Sequence, residues 1–231
     1  MSSRPFEIPA PGVFNSHYLA EVVSVNDPDS LARVQVRLLN FDGAGAQDGP
    51  IWARVAAPFA GADRGAFMLP DVGDEVLVTF VHGDPRLPIV VGGLWNGGAR
   101  AREQLGGSGD RVDRWTIVGK AGTRIAIIEE NSGEAKILLT TPGGVSGELT
   151  DSGGGKIEFK AAGTTITVDT AGVTVQTPSK VKVQASQVEV SAGMVKVDAA
   201  MSQFSGMVKC DILQTNTVIA TTYTPGAGNI W

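Results

Sequence analysis

Cysteine is almost missing from this chain of 231 residues: Cys210 stands alone. An intrachain disulfide framework is therefore impossible, and synthesis in a reducing compartment is expected. Histidine is nearly as scarce. His17 and His82 are the only two, and neither has a second histidine or a cysteine pair nearby, so a metal centre is not expected at either. Aromatic residues amount to 6%. No run of about 18 apolar residues is present to span a membrane. The opening residues, Met1-Ser-Ser-Arg-Pro-Phe-Glu-Ile-Pro, lack the apolar core of a secretory signal. No long segment has apolar residues spaced by three and four behind a capping residue, which predicts very little helix. The formal net charge is −5 with both signs interspersed. No basic stripe exists for phosphates, so nucleic acid is excluded as the main partner.

What is abundant is glycine, at 30 residues, together with valine and threonine. Such a chain favours strands and turns. Over residues 14–98 short strands alternate with turn formers. Ala20–Val25 precedes the turn Asn26-Asp27-Pro28-Asp29. In Ala32–Leu38, Val34, Val36 and Leu38 share one face while Arg33, Gln35 and Arg37 take the other. Ile51–Val55, Glu75–Val81 and Pro88–Gly92 follow. Five short antiparallel strands in this space predict a closed barrel, because closure removes exposed edges. Residues 99–114, rich in glycine and charge, are expected to be a linker.

Beyond residue 115 the pattern changes. Apolar pairs two residues apart recur as Ile166/Val168, Val173/Val175, Val181/Val183, Val188/Val190 and Val195/Val197, in steps of 7, 8, 7 and 7 residues. Less regular members are Ile125/Ile127, Ile137/Leu139 and Ile157/Phe159. A fixed short period means a stack of similar strands. Each has a narrow aliphatic edge and a polar edge carrying Lys180, Lys182, Glu189, Lys196 and Asp198. A single-chain solenoid would need about 22 residues per coil and would complete fewer than three coils without a cap. Three copies wound around one axis bury the same edges along a prism. The expected fold is therefore all-β: a five-stranded barrel, then an intertwined trimeric β-helix over 115–220.

The segment from Trp52 to Asn96 closely resembles the OB-fold barrel of VgrG and phage baseplate-assembly protein V spikes. It shares the entry Leu69-Pro70-Asp71-Val72-Gly73-Asp74-Glu75-Val76 and the hairpin Gly83-Asp84-Pro85 to Pro88-Ile89-Val90-Val91-Gly92, ending in Trp95-Asn96. The resemblance implies a homotrimeric central spike of a contractile injection machine. Its barrels would collar a needle beneath a hub, and a separate PAAR-repeat tip protein would cap it. Other baseplate components and effector cargo are further implied partners. About 13 residues precede the barrel, so the hub is expected to be another polypeptide. No inserted lysozyme domain is expected, nor a His-x-His metal site in the tip. Such a protein would be made in the cytoplasm without a signal peptide and assembled into the baseplate of the particle.

Physically, Pro70 and Gly73 shape a turn, Gly83-Asp84-Pro85 reverses the chain, and Gly92-Gly93 are expected to permit close backbone approach. Other chemistry-bearing residues have plain structural readings. His82 fits a turn and Cys210 a small buried strand residue. Glu129 and Glu130, being adjacent, would point to opposite faces and could not serve as a paired acid and base. The glycine clusters at 106–109 and 153–155 lack the Gly-Lys-Ser/Thr ending of a phosphate loop. Neither a cofactor nor a catalytic residue is expected. From Ile212 to Trp231 no side chain is charged, and Tyr223, Pro225, Ile230 and Trp231 are the candidates for tip or cap docking. That segment (221–231) either packs on itself, a cap or another baseplate component, or stays a loose tail. The rival readings are a glycan- or receptor-binding tail fibre, against which the scarcity of rings counts, and a β-solenoid polysaccharide lyase or hydrolase, which would need clustered acids.

Overall fold

The structure, a computed structural model of the single chain, describes residues 16–39 and 49–222. Its regular elements are all strands apart from short one-turn helices. Two compact units are present, 1–180 and 181–231.

The first sheet uses β1 (Tyr18–Ser24), β2 (Val34–Leu38), β3 (Ile51–Val55), β6 (Glu75–Phe80) and β7 (Pro88–Leu94). They close in the order β1-β2-β3-β7-β6. Between β3 and β6 lies the two-stranded pair β4 (Ala60–Gly61) and β5 (Arg64–Gly65). Strict alternation fills the barrel. Ala20, Val22, Val34, Val36, Ala53, Val76 and Val78 have no exposed surface, and Phe80 and Val90 complete the core. The Tyr18 ring meets Phe80 edge-on at 5.6 Å. A valine-dominated core suits so narrow a barrel, since β-branched side chains fill a pleated interior with few rotamers.

Two details differ from the sequence expectation. The strands are not all antiparallel: β3 and β7 pair in parallel, Arg54 opposite Ile89 and Val55 opposite Val90. An odd number of strands forces this, because five strands in a ring cannot alternate direction all the way round. Nor do Gly92 and Gly93 bring backbones close. A Cβ at Gly92 would meet nothing within 4 Å, and one at Gly93 would lie 4.0 Å from the Glu75 carbonyl oxygen. Instead the register slips beside them, from Leu77↔Gly92 to Val78↔Val90, a bulge that bends β7 where the barrel closes. Gly73, at φ +90°, does take the left-handed conformation expected of it.

The second sheet is a meander of β8 (Arg114–Val118), β9 (Arg124–Ile128), β10 (Lys136–Thr140), β11 (Ser146–Thr150), β12 (Lys156–Ala161), β13 (Thr164–Asp169) and β14 (Gly172–Gln176). Each strand pairs antiparallel with its neighbour in sequence. After Gln176 no described residue is in a strand, and every described residue from Val181 to Thr222 is exposed. The strands expected over 181–197 are thus not formed within one chain. Cys210 is likewise exposed rather than buried, because that stretch has no strand partner to cover it.

The turn between β1 and β2 is clamped by Asp27. Its carboxylate, 4% exposed, accepts the backbone N–H groups of Asp29, Leu31 and Arg33 and pairs with the Arg33 guanidinium at 2.6 Å. Arg33 in turn lies 5.7 Å from the Trp52 ring centroid. The Arg33 bond chiefly holds the Asp27 carboxyl far below the ordinary carboxylate range. A depressed folded-state pKa means stability that is present above the unfolded value and lost as pH falls through the folded one. Replacing Asp27→Asn is therefore expected to speed amide exchange at Leu31 and Arg33 at neutral pH. The gap from the wild type should hold down to about pH 4 and narrow only below it.

Candidate functional site

The register of the second sheet lines its apolar residues into two ladders that cross all seven strands. One runs Trp115, Ile127, Ile137, Leu149, Ile157, Val168 and Val173. The other runs Ile117, Ile125, Leu139, Gly147, Phe159, Ile166 and Val175. All thirteen apolar side chains share one face, and all are 38 to 71% exposed. Together they offer on the order of 1,000 Å² of uncovered apolar surface, well beyond the few hundred typical of a monomer's largest patch.

The opposite face is charged, yet better covered. Ala126 is fully buried there, and Ile128 and Thr150 nearly so. Ion pairs cross it: Lys160–Glu158 at 2.6 Å, with Lys156 near both Glu148 and Glu158. The stretch expected to be a linker is fastened to this face. Glu103 accepts from Arg124 at 2.5 Å and from Arg114 at 3.1 Å, and Arg114 also pairs with Glu130. Asp113 is 6% exposed, and its carbonyl accepts from the Glu129 N–H. Arginine forks hold a glycine-rich segment that has little apolar surface of its own to bury.

One notch interrupts the apolar ladders. A Cβ at Gly147 would stand 3.0 Å from both Cδ1 and Cε1 of Phe159, so the ring lies over the glycine on the neighbouring strand. The largest ladder side chain after Trp115 is thereby kept low against the sheet. Along the other ladder, a groove of about 700 Å³ is lined by Ile127, Ile137, Leu149, Ile157 and Val168 together with Glu129, Asp151 and Asp169.

The residues singled out in the sequence fall elsewhere. Tyr223, Pro225, Ile230 and Trp231 lie outside the described residues. His82 sits exposed at the β6–β7 reversal with φ +55°, and His17 is exposed. Among the described residues no group of three potential ligands could hold a metal ion. Asp71, beside the Pro70–Gly73 turn, pairs with Lys120 of the β8–β9 turn, a tie between barrel and sheet. Asp84 is held down to about 2, chiefly by Arg86. Among the described residues, every carboxylate with a displaced pKa (Asp27, Asp71, Asp84, Glu103, Glu158) is lowered by a neighbouring cation. A general acid working at neutral pH is usually raised instead. The ladder members Trp115, Ile117 and Leu149 escaped the sequence reading, although Trp115 and Ile117 show the same two-residue spacing as the later pairs.

Residues 18–95, the barrel, match the type VI secretion system/phage-baseplate injector OB domain. Over these residues the barrel of this chain is similar to that domain. Among its relatives, spike protein VgrG4b of the Pseudomonas aeruginosa type VI secretion system is 35% identical over 100 residues, 40% of this chain and 12% of the relative. VgrG5 of the same organism is 33% identical over 115 residues, 48% of this chain and 14% of the relative. VgrG3 of Vibrio cholerae is 49% identical over 41 residues, 18% and 4% of the respective chains. The chain thus spans a small fraction, 4 to 14%, of these relatives' own length. The matched residues include the closed barrel and its Leu69-Pro70 and Gly83-Asp84-Pro85 turns, while the apolar sheet face lies beyond them.

The notch can be tested by substitution. Gly147→Ala is expected to force the Phe159 ring off its seat and cost about 1–3 kcal/mol. In combination with Phe159→Leu most of that penalty should disappear, giving a coupling visible in a double-mutant thermal or denaturant cycle.

Proposed function

We propose that this chain is a structural spike of a phage-like or type VI injection machine, in which three copies pack their apolar sheet faces around a common axis below their barrels. The observation that carries this reading is the pair of uncovered apolar ladders. A single layer of sheet has nothing to bury one face against, and association is the standard remedy for so large a patch. A standard interface hides about 800 Å² per partner, which the ladders are large enough to supply. The match of the barrel to the injector OB domain and the spike names of the relatives support the same reading.

The function is mechanical rather than catalytic. A rigid β-prism driven by a contracting sheath would breach a target envelope, and the lowered carboxylates serve as ion-pair partners rather than acids. The barrels would seat on a hub protein at the end of the tail tube, within the baseplate. The uncharged C-terminal residues Tyr223, Pro225, Ile230 and Trp231 are the proposed docking point for a PAAR-repeat tip protein. The valine pairs from Val181 to Val197 would complete a triple-stranded β-helix in the same assembly. Synthesis without a signal peptide, followed by delivery on contraction, fits this role.

Light scattering of the full chain is expected to give about 72 kDa, three times 24.0 kDa, and the assembly should resist SDS because unthreading breaks many strand pairs at once. Ile137→Glu, in the middle of the ladders, should shift the population toward single chains by about tenfold or more, since it buries an unpaired charge. A wild-type mass near 24.0 kDa at micromolar concentration would refute the proposal.

A further inference from the structure

We propose that a groove on the barrel takes a polyproline II segment, and that its occupant is residues 5–14 of the same chain. This goes beyond the three-copy reading and stands or falls without it.

The barrel carries an uncovered apolar surface of its own. Leu31, Phe59, Phe67 and Met68 are 60 to 80% exposed. All four line one groove of about 470 Å³, together with Arg54 and Arg64, a size typical of small binding clefts. Backbone hydrogen bonds hold the groove in shape. The Leu31 N–H donates to the Asp27 carboxylate at 2.9 Å. The Phe59 carbonyl accepts from the Ala66 N–H at 3.0 Å, which closes the β4–β5 hairpin. A Cβ at Gly65 would stand 3.1 Å from that same carbonyl oxygen, so glycine there lets the hairpin close, with Phe59 before it and Phe67 after it on one groove. Aromatic rings fixed beside a slot are the usual receptor for a polyproline II ligand.

The chain supplies such a ligand. Residues 5–14, outside the described residues, read Pro-Phe-Glu-Ile-Pro-Ala-Pro-Gly-Val-Phe. Each proline fixes its own φ near −65° and pushes the residue before it (Arg4, Ile8 and Ala10) toward extended backbone. The conformation that suits both demands is polyproline II, with three residues per turn. At that period Pro5, Ile8, Pro11 and Phe14 fall on one wholly apolar edge, and Arg4, Glu7, Ala10 and Val13 on another. A strand would split the apolar four between its two faces. Glu7 brings a negative charge to a groove that holds two arginines.

The barrel's register puts the groove within reach. Tyr18, the first residue of β1, pairs with Val78 of β6. Val78 pairs with Val90 of β7, and Val90 pairs with Val55 of β3, which lines the groove. Three strand spacings come to about 14 Å. Phe14 lies four residues before Tyr18, a span of about 13 Å when extended. The tether raises the segment's effective concentration to the millimolar range, so modest intrinsic affinity keeps the groove occupied.

The test uses the full chain carrying Cys210→Ser and Ala57→Cys, a groove-lining position. Its thiol should react with a maleimide about tenfold or more slowly than in the same chain lacking residues 2–14. Equal fast rates would show an open groove and overturn the inference. Equal slow rates would mean that a second copy covers the groove, which also overturns it. Should the shortened chain fail to fold, Ile8→Asp with Phe14→Asp in the full chain takes its place. The same acceleration is expected, and an unchanged rate refutes the proposal. A cross-link then identifies the donor chain. With Ala10→Cys or Gly12→Cys added to the Ala57→Cys chain, mild oxidation should form a disulfide within single chains of 24.0 kDa, since the Cβ atoms must come about 4 Å apart. Disulfides found only between chains, at about 48 kDa or twice 24.0 kDa, would refute occupancy by the chain's own segment.

Discussion

A sheet one layer thick cannot hide both of its faces, and that constraint governs everything after residue 114. The seven-stranded meander satisfies its backbone hydrogen bonds through local antiparallel pairing, so it forms from consecutive segments with short turns. It does not satisfy its side chains. Thirteen apolar groups on one face meet solvent in the single chain, while the charged face is partly roofed by the 99–113 segment. The apolar effect scales with area removed from water, so covering that face would yield a large further gain.

The barrel solves the same problem alone. Closing five strands into a ring turns one face inward, where six valines, two alanines and Phe80 are buried. No edge remains, and the odd strand number is absorbed by the parallel β3–β7 pair. The two sheets of unit 1–180 thus differ in one respect: one curls until its apolar face is enclosed, and the other stays open with that face uncovered. The barrel is also the part that matches the injector OB domain.

Electrostatics plays a supporting part. The ion pairs are mostly local clamps: Asp27 with Arg33 at a turn, Asp84 with Arg86 at a reversal, Glu103 between two arginines. Exposed pairs such as Lys120 with Asp71 contribute little by themselves, but they orient the sheet's first turn against the barrel loop. The buried cluster around Asp27 is different, because a covered carboxylate with three backbone donors and a guanidinium fixes the loop that launches β2.

Much was legible from residues alone. Alternation in Val34–Leu38 and Glu75–Phe80 specified which side chains point inward, since a strand's period of two leaves no choice once one face is apolar. The turn chemistry of Gly73 and of Gly83-Asp84-Pro85 marked the reversals, and the two-residue spacing of Ile and Val marked strands as far as Val175 but not over 181–197, where no strand is formed. Tertiary structure alone decided three other matters. The parallel closure of β3 on β7 depends on ring geometry, which no local pattern encodes. The alignment of distant pairs into two continuous ladders, with Phe159 seated over Gly147, depends on register across hairpins of unequal length. The fastening of Glu103 to Arg114 and Arg124 turned an apparent linker into a roof, because long-range charge pairing leaves no periodic trace in a sequence.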